Sequence, residues 1–192
     1  MEKIAIVGVG NFGAAVGHLL AHSGCAVALW DSDPTKVPGQ VTLKETVQDA
    51  SIVFLCVSSW SLREAAVSLL PHIQDGVVVI CPTKGIEEKT LKTSDEVLED
   101  VFAGKAVVSL LHGPILAAEI MQNLPAFSVL AVPSQELFNR VAAVFSGSTL
   151  QLEYSSDVHG VALAGVLKNI YSIGLGMTSA LALGSNFRGW FV

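Results

Sequence analysis

The feature that most constrains the fold is a glycine-spaced loop directly after the first apolar segment. Lys3–Val7 is a short run of Ile, Ala and Val, and residues 8–13 read Gly-Val-Gly-Asn-Phe-Gly. Residues 11–23 then place apolar side chains at helical spacing. A buried strand, a tight glycine turn and a helix, in this order, are typical of a unit that binds the phosphates of a dinucleotide.

Each residue of the loop has an expected role. Gly8 permits the tight turn, Gly10 lets the backbone approach a pyrophosphate, and Gly13 allows the helix to pack closely on the strand. Asn11 and Phe12 complete the turn over the pyrophosphate. The alternative is a glycine-rich turn that binds nothing.

An acidic residue follows the second predicted strand, Ala26–Trp30. Asp31 lies 18 residues after Gly13, near the spacing of the acid that accepts the adenosine ribose hydroxyls. A carboxylate there repels the additional phosphate of NADP, so the sequence favours NAD, with NADP left open. The alternative is an ordinary turn aspartate before Asp33-Pro34.

Strand and helix patterns alternate as far as residue 155. Strands are predicted over 3–7, 26–30, 51–57, 76–81, 105–111, 127–132 and 150–154, and helices over 11–23, 61–70, 87–100, 117–123 and 135–145. This alternation predicts an α/β fold with a doubly wound, Rossmann-like, mostly parallel sheet. From residue 156 a single long helical stretch follows. We therefore expect a dinucleotide-binding domain over 1–155, and over 156–192 the start of an all-α domain that the chain does not complete.

Composition excludes several classes of function. The formal net charge of −6 argues against nucleic acid or an acidic membrane as partner. Cys25, Cys56 and Cys81 have no metal-ligand or disulfide-framework spacing, which predicts no metal site and a reducing, cytoplasmic location. The N-terminus has no secretory signal pattern. Residues 161–183 are long and apolar enough to span a bilayer, but Lys168 near the middle favours a buried interface helix over stable membrane insertion.

Further motifs resemble those of one family over essentially the whole chain, the NAD(P)-dependent glycerol-3-phosphate dehydrogenases. The resemblance is carried by Gly8–Gly13, Val57-Ser58 with Leu62-Arg63, Thr83-Lys84-Gly85-Ile86-Glu87, His112-Gly113-Pro114 with Ala117 and Glu119, and a fifth motif, Asp157-Val158-His159-Gly160 leading to Leu167-Lys168-Asn169-Ile170 and then Gly184-Ser185-Asn186. Five motifs in the family's order are far more specific than the glycine loop alone.

The resemblance implies a reaction and roles for particular residues. Members of the family interconvert sn-glycerol 3-phosphate and dihydroxyacetone phosphate, with hydride transfer at C2, and belong to glycerophospholipid metabolism. Lys168 matches the catalytic lysine, which exchanges the hydroxyl proton, and a lysine in an apolar helix is expected to have a depressed pKa. Lys84 matches a second active-site lysine, whose charge stabilises the developing oxyanion. Asn169 is expected to orient the substrate or the lysine.

Two less specific cofactor contacts and one helix cap are also expected from the motifs. Ser58, at the carboxyl end of a strand, is expected to line the cofactor cleft, and Ala117 matches a position on the nicotinamide side. Asp157 is expected to cap the following helix rather than to take part in chemistry.

The chain also departs from the family pattern. Ile115 stands where a Ser or Asn is usual, and His112 stands where a small residue is common. His112 is interpreted as a packed or surface histidine, with a pH-sensitive neighbour of the site as the alternative. In the family, the helical domain continues beyond the position of residue 192 and supplies further substrate contacts. Arg188 alone supplies little positive charge to replace a phosphate site. The apolar tail predicts a homodimer through the C-terminal helical segment.

Two alternatives to this dehydrogenase remain open at the level of sequence. One is a truncated, non-catalytic dinucleotide-binding module. The other is a ketopantoate-reductase-like or hydroxy-acid dehydrogenase, which shares the glycine loop and a helical lysine but is disfavoured by Lys84-Gly85-Ile86-Glu87.

Overall fold

A computed structural model describes residues 2–21 and 23–191. Within these residues, seven strands alternate with eight α-helices. The strands are β1 (Lys3–Val7), β2 (Ala26–Trp30), β3 (Ile52–Leu55), β4 (Val77–Cys81), β5 (Ala106–His112), β6 (Ala126–Ala131) and β7 (Leu150–Ser155). The helices are α1 (Asn11–Leu20), α2 (Leu43–Val47), α3 (Leu62–Leu69), α4 (Ser94–Phe102), α5 (Ala117–Ile120), α6 (Gln135–Ala143), α7 (Val158–Ala180) and α8 (Gly184–Phe191).

The strands form a single sheet in the order β2-β1-β3-β4-β5-β6-β7. Neighbouring strands are parallel except for the antiparallel pair β5 and β6. The predicted doubly wound, Rossmann-like and mostly parallel sheet is therefore confirmed. The chain leaves β1 in one direction to form β2 and returns past β1 to form β3, so a crevice is expected between the carboxyl ends of β1 and β3.

The sheet is apolar on both faces, as a parallel sheet covered by helices must be. One buried cluster includes Val53, Val79 and Leu98 and lies under α3 and α4. The other includes Ile6, Phe54 and Leu130 and lies under α1 and α6. Because both faces are buried, β3 and β4 read as continuous apolar runs in the sequence.

The predicted helices differ from the observed ones mainly at their ends; the helix predicted over 11–23, for example, ends at Leu20. The helix predicted over 87–100 begins only at Ser94, because Thr93 and Glu96 form a capping box, and residues 86 and 93 pair across a turn instead. The helix predicted to end at residue 123 ends at Ile120. The stretch predicted from 156 is two helices, since the backbone reverses at Ala182 and Gly184, both with positive φ.

The long helix α7 is packed against the sheet only along part of its length. It contacts β5, β6 and α4, and its first half buries Ala162 and Gly165. Most of its second half is exposed, including Ile173 and Met177. Among the described residues, α7 is the one helix long and apolar enough to cross a membrane, and 11% of its most apolar 18-residue stretch is buried.

A buried hydroxyl in β5 yields a stability prediction. Ser109 is fully buried, and its Oγ has no hydrogen-bond partner among the described residues. Leaving a buried hydroxyl unsatisfied costs free energy, so Ser109→Ala is expected to raise the free energy of unfolding by about 1 kcal/mol in urea titrations. Thr46→Val is the matched control, because the Thr46 hydroxyl donates to Thr42 O at 2.9 Å, and its loss is expected to lower stability. A loss of stability in Ser109→Ala would contradict the expectation.

Candidate active site

A cavity of about 440 Å³ opens at the carboxyl ends of β1 and β3, where the strand order predicts a crevice. Its lining comes from the glycine loop, the end of β2 and the segment that joins β3 to α3. The lining residues are Val7, Gly8, Gly10, Trp30, Asp31, Ser32, Lys36, Leu43, Cys56, Val57, Ser58, Ser61, Glu64, Ala65 and Ser68. The predicted Gly8, Gly10, Asp31 and Ser58 thus share one cavity.

The glycine loop leaves room where a dinucleotide needs it. A Cβ on Gly13 would lie 1.9 Å from Gly8 O, and Gly8 itself has φ +93° with Cys56 O where its Cβ would stand. By contrast, a Cβ on Gly10 would meet none of the described atoms within 4 Å. Gly8 and Gly13 are therefore required by the fold, whereas the space beside Gly10 is free for a ligand.

The N-terminus of α1 favours an anion at this space. Gly10 is the N-cap residue and has no side chain to accept hydrogen bonds from the first-turn N–H groups. Asn11 and Phe12 begin the helix; Asn11 is exposed, and Phe12 packs against the apolar cluster beneath. Free backbone N–H groups at a helix N-terminus commonly bind a pyrophosphate, and the helix dipole stabilises its negative charge.

Asp31 is both a turn aspartate and a wall of the cavity. It is 4% exposed; its Oδ2 accepts a hydrogen bond from Val9 N at 2.7 Å, and its Oδ1 accepts one from Asp33 N at 2.9 Å. Lys36 Nζ lies 3.3 Å from the carboxylate. Burial acts to raise the pKa of Asp31, but the hydrogen bonds from Asp33 and Val9 and the bond and charge from Lys36 outweigh it, so the pKa lies below its usual value. Sequence reasoning did not single out Lys36.

The two predicted lysines are neighbours outside this cavity. Lys84 follows β4 and is half-buried, whereas Lys168 lies exposed on α7. Burial, and then the positive charge of Lys168, lower the pKa of Lys84. Within the described residues, α7 presents Lys168 at the surface. Desolvation falls instead on Lys84, which the sequence treated only as a fixed charge.

Glycines bring the lysine-bearing segments together. A Cβ on Gly165 would lie 3.4 Å from Cγ of Lys84, an ordinary contact distance, so the stem of Lys84 packs beside this residue of α7. Gly85 has φ +149°, and a Cβ there would lie 2.9 Å from that of Ser59. The turn after Lys84 therefore needs glycine at this position.

Other predicted residues have mixed surroundings. Ser58 Oγ donates to Ser61 Oγ at 3.1 Å within the cavity wall. Ala117 begins α5 and packs with the cluster that includes Phe12, not in the cavity. Asn169 is exposed beside Lys168.

Asp157 caps α7 as expected, with Oδ1 accepting a hydrogen bond from Gly160 N at 2.8 Å. Among the described residues, no group of His, Cys, Asp or Glu side chains could hold a metal ion.

Sequence reasoning missed an ion pair that fastens α7 to α4. His159 Nδ1 lies 2.9 Å from Oδ2 of Asp95, a buried carboxylate that also accepts from Thr93 Oγ1. The bond from His159 to Asp95 and the charge of Asp95 raise the pKa of His159. The signal was weak, since the two residues are far apart in the sequence.

This pair predicts a pH dependence of stability. The folded pKa of His159 lies above its unfolded value, so the stabilising contribution is complete below about pH 6.5 and is lost as the pH rises through the folded pKa. The difference in melting temperature between the unsubstituted chain and His159→Gln is therefore expected to be larger at pH 5.5 than at pH 8.5. Equal differences at both pH values, measured by circular dichroism, would contradict this.

Comparison with known proteins finds matches to one family of enzymes. A family model described as NAD-dependent glycerol-3-phosphate dehydrogenase N-terminus matches residues 33–138, and one described as its C-terminus matches residues 157–192. A glycerol-3-phosphate dehydrogenase (NAD(P)+) of Teredinibacter turnerae is 34% identical, over 96% of this chain and 60% of the relative. One of Pseudomonas fluorescens is 35% identical, over 100% and 62%. The chain thus spans about 60% of the length of these curated relatives.

Solved structures share the fold. A glycerol-3-phosphate dehydrogenase from Coxiella burnetii superposes with a TM-score of 0.82 at 25% identity, covering 99% of this chain and 65% of that one. The enzyme from Saccharomyces cerevisiae gives a TM-score of 0.83 at 19% identity, covering 99% and 66%. At that lower identity the likeness concerns the fold alone.

Proposed function

The chain belongs to the NAD-dependent glycerol-3-phosphate dehydrogenase family, and on this premise we propose that it binds NAD(H) and carries the acid–base lysines of an oxidoreductase. The proposed reaction interconverts sn-glycerol 3-phosphate and dihydroxyacetone phosphate. The observation that carries the proposal is the packing of Lys84 against α7 beside Gly165, one helical turn from Lys168, at the same edge of the sheet as the glycine-lined cavity. Residues 1–155 are proposed as the cofactor domain and 156–192 as the start of the helical one.

The cavity fits a dinucleotide. The open space beside Gly10 and the uncapped start of α1 suit a pyrophosphate. Asp31 and Ser32 are placed to accept or donate hydrogen bonds to a ribose, and the negative charge of Asp31 favours NAD over NADP. When bound, NAD(H) supplies or accepts the hydride. The phosphate substrate would lie beside the lysines, where positive charge is concentrated.

The lysine pair is suited to proton transfer at the C2 oxygen. Removing hydride from an alcohol requires the hydroxyl proton to leave, and a neutral amine accepts it. Two neighbouring ammonium groups repel each other, so the first proton leaves the pair more easily than it leaves an isolated lysine. The remaining ammonium stabilises negative charge on the oxygen. By resemblance Lys168 exchanges the proton, Lys84 supplies the charge, and Asn169 orients the substrate. The lowered pKa of Lys84 favours the reverse assignment of the two lysine roles, which the Lys168 substitution distinguishes.

A coupled assay tests the reaction. The 192-residue chain and a longer form covering the relatives' full length are mixed with NADH and dihydroxyacetone phosphate, and absorbance at the NADH band is followed. Oxidation of NADH with this substrate supports the proposal. Oxidation only with ketopantoate or another 2-keto acid, or NADH binding without turnover in both forms, would overturn it. Repeating the titrations with NADPH tests the preference for NAD.

The exposed apolar surface of α7 and α8 supports a proposed homodimer. Ile173 is 63% exposed, Leu181 68% and Trp190 78%. Apolar surface on this scale favours burial against a second chain. We propose a water-soluble, cytoplasmic dimer, without stable membrane insertion, that joins through residues 158–191. Analytical ultracentrifugation of the chain and of Ile173→Glu tests this, and a monomer at all concentrations would refute it.

A further inference from the structure

His112 lies at the end of β5 and contacts two segments that meet at the lysine pair. Its side chain is buried, with 5% of the residue exposed. Nε2 lies 3.2 Å from the carbonyl oxygen of Thr83, the residue before Lys84. Nδ1 lies 3.1 Å from the carbonyl oxygen of Val161 in the first turns of α7. One imidazole therefore links the Lys84 loop to α7.

The part of α7 that receives this ring lies on the same helical face as Lys168. Val161, Gly165 and Lys168 follow one another at spacings of four and three residues, so they share one face. A Cβ on Gly165 would lie 2.6 Å from Nδ1 of His112, so only glycine leaves room for the ring there. The stem of Lys84 packs beside the same glycine, with its Cγ 3.4 Å from the position of the Cβ.

We propose that His112 is a positioning residue that sets the spacing of Lys84 and Lys168 by binding the carbonyl oxygens of Thr83 and Val161. The inference deepens the proposed function, because the spacing of the two amines decides how readily the pair gives up its first proton. His112 itself needs no contact with substrate or cofactor for this role.

The chemistry of imidazole makes the link depend on protonation. Both partners are carbonyl oxygens, which only accept; a neutral ring donates to one of them and an imidazolium donates to both. Burial and the charge of Lys84 lower the pKa of His112, while the two carbonyl bonds and the charge of Asp95 act in the opposite direction. The charged groups around the His112 ring and the two segments it contacts are Lys84 after β4, Asp95 on α4, and His159 and Lys168 on α7.

Three substitutions of His112 separate its two contacts. His112→Asn places an amide near the position of Nδ1 and keeps the bond to Val161. His112→Gln reaches the position of Nε2 and keeps the bond to Thr83. His112→Leu is similar in volume and removes both. The readout is the titration of the Lys84 amine in the 192-residue chain, followed by NMR with isotope-labelled lysine.

In His112→Leu, the midpoint of the Lys84 titration is expected to rise toward about 10.4, the value of an unperturbed lysine, because the loop and the helix separate. The Asn and Gln variants should give smaller rises. Thr46→Val is the control, since it removes a hydrogen bond within α2, which packs against β2, β1 and α3, and it should leave the midpoint unchanged. A folded His112→Leu chain with an unchanged Lys84 midpoint would overturn the proposal.

Two further measurements keep the test decisive if His112→Leu does not fold. Gly165→Ala leaves His112 intact but places a Cβ against the ring, and it should raise the Lys84 midpoint in the same way. In the unsubstituted chain, nitrogen NMR of His112 should show one protected, hydrogen-bonded N–H in the neutral ring and two in the imidazolium, whereas a freely exchanging, solvent-like ring would refute the link. None of these readouts needs substrate or cofactor. Failure of the turnover assay and failure of this proposal are therefore separate results.

Discussion

Replacement of Lys168 by methionine is expected to lower kcat for the reduction of dihydroxyacetone phosphate by about 10²–10⁴-fold, the usual contribution of a positioned acid or base. Methionine keeps most of the side-chain stem, so the loss reflects the amine. The same substitution should raise the pKa of Lys84, because the charge of Lys168 is one of the two causes that lower it. Burial remains, so the rise should be incomplete. Both effects are measured on the same preparations, by NADH oxidation and by NMR titration.

The matched control is Lys89→Met, at an exposed lysine five residues after Lys84 in the sequence. It should change neither kcat nor the Lys84 titration. Normal turnover in Lys168→Met would show that the acid–base assignment is wrong. Normal turnover together with a shifted Lys84 pKa would leave the neighbourhood of the two lysines intact but assign the proton transfer to Lys84.

Substitution of Gly10 by serine is expected to weaken NADH binding at least about tenfold, which corresponds to about 1.4 kcal/mol, while leaving the melting temperature nearly unchanged. The described residues leave the position of its Cβ open, and serine is as good an N-cap as glycine or better. Its hydroxyl would also occupy N–H groups of α1 that otherwise face the ligand. Titration calorimetry measures the affinity, and energy transfer from Trp30, which lines the cavity, reports it independently.

Two other glycines separate binding from folding. Gly13→Ala should lose both stability and affinity, because its Cβ would lie 1.9 Å from Gly8 O. Gly17→Ala should lose neither, since its Cβ would make ordinary contacts of 3.7 Å or more. Unchanged NADH affinity in Gly10→Ser would mean that the pyrophosphate does not approach α1 at this residue.

Local patterns were sufficient for most of the sheet. β1 begins and ends where its apolar run predicts, because a strand buried on both faces is apolar at every position. β2 also has the predicted bounds, although it is an edge strand whose side chains are exposed or half-buried. The boundaries that failed depend on single side chains or backbone reversals. The start of α4 is fixed by the capping box of Thr93, and the break after α7 by positive φ at Ala182 and Gly184. The spacing of apolar residues carries no information about a capping box or a positive φ angle.

Strand-turn-helix order and motif spacing are local properties, so the amino-acid sequence is enough to single out the glycine loop, the aspartate after β2 and the two lysines. The folded chain is needed to show which lysine is desolvated, since burial of Lys84 arises where the end of β4 meets α7. The fold also pairs Asp31 with Lys36 and brings His112 between Thr83 and Val161. These contacts join segments whose meeting depends on the packing of α7 and the loops against the sheet.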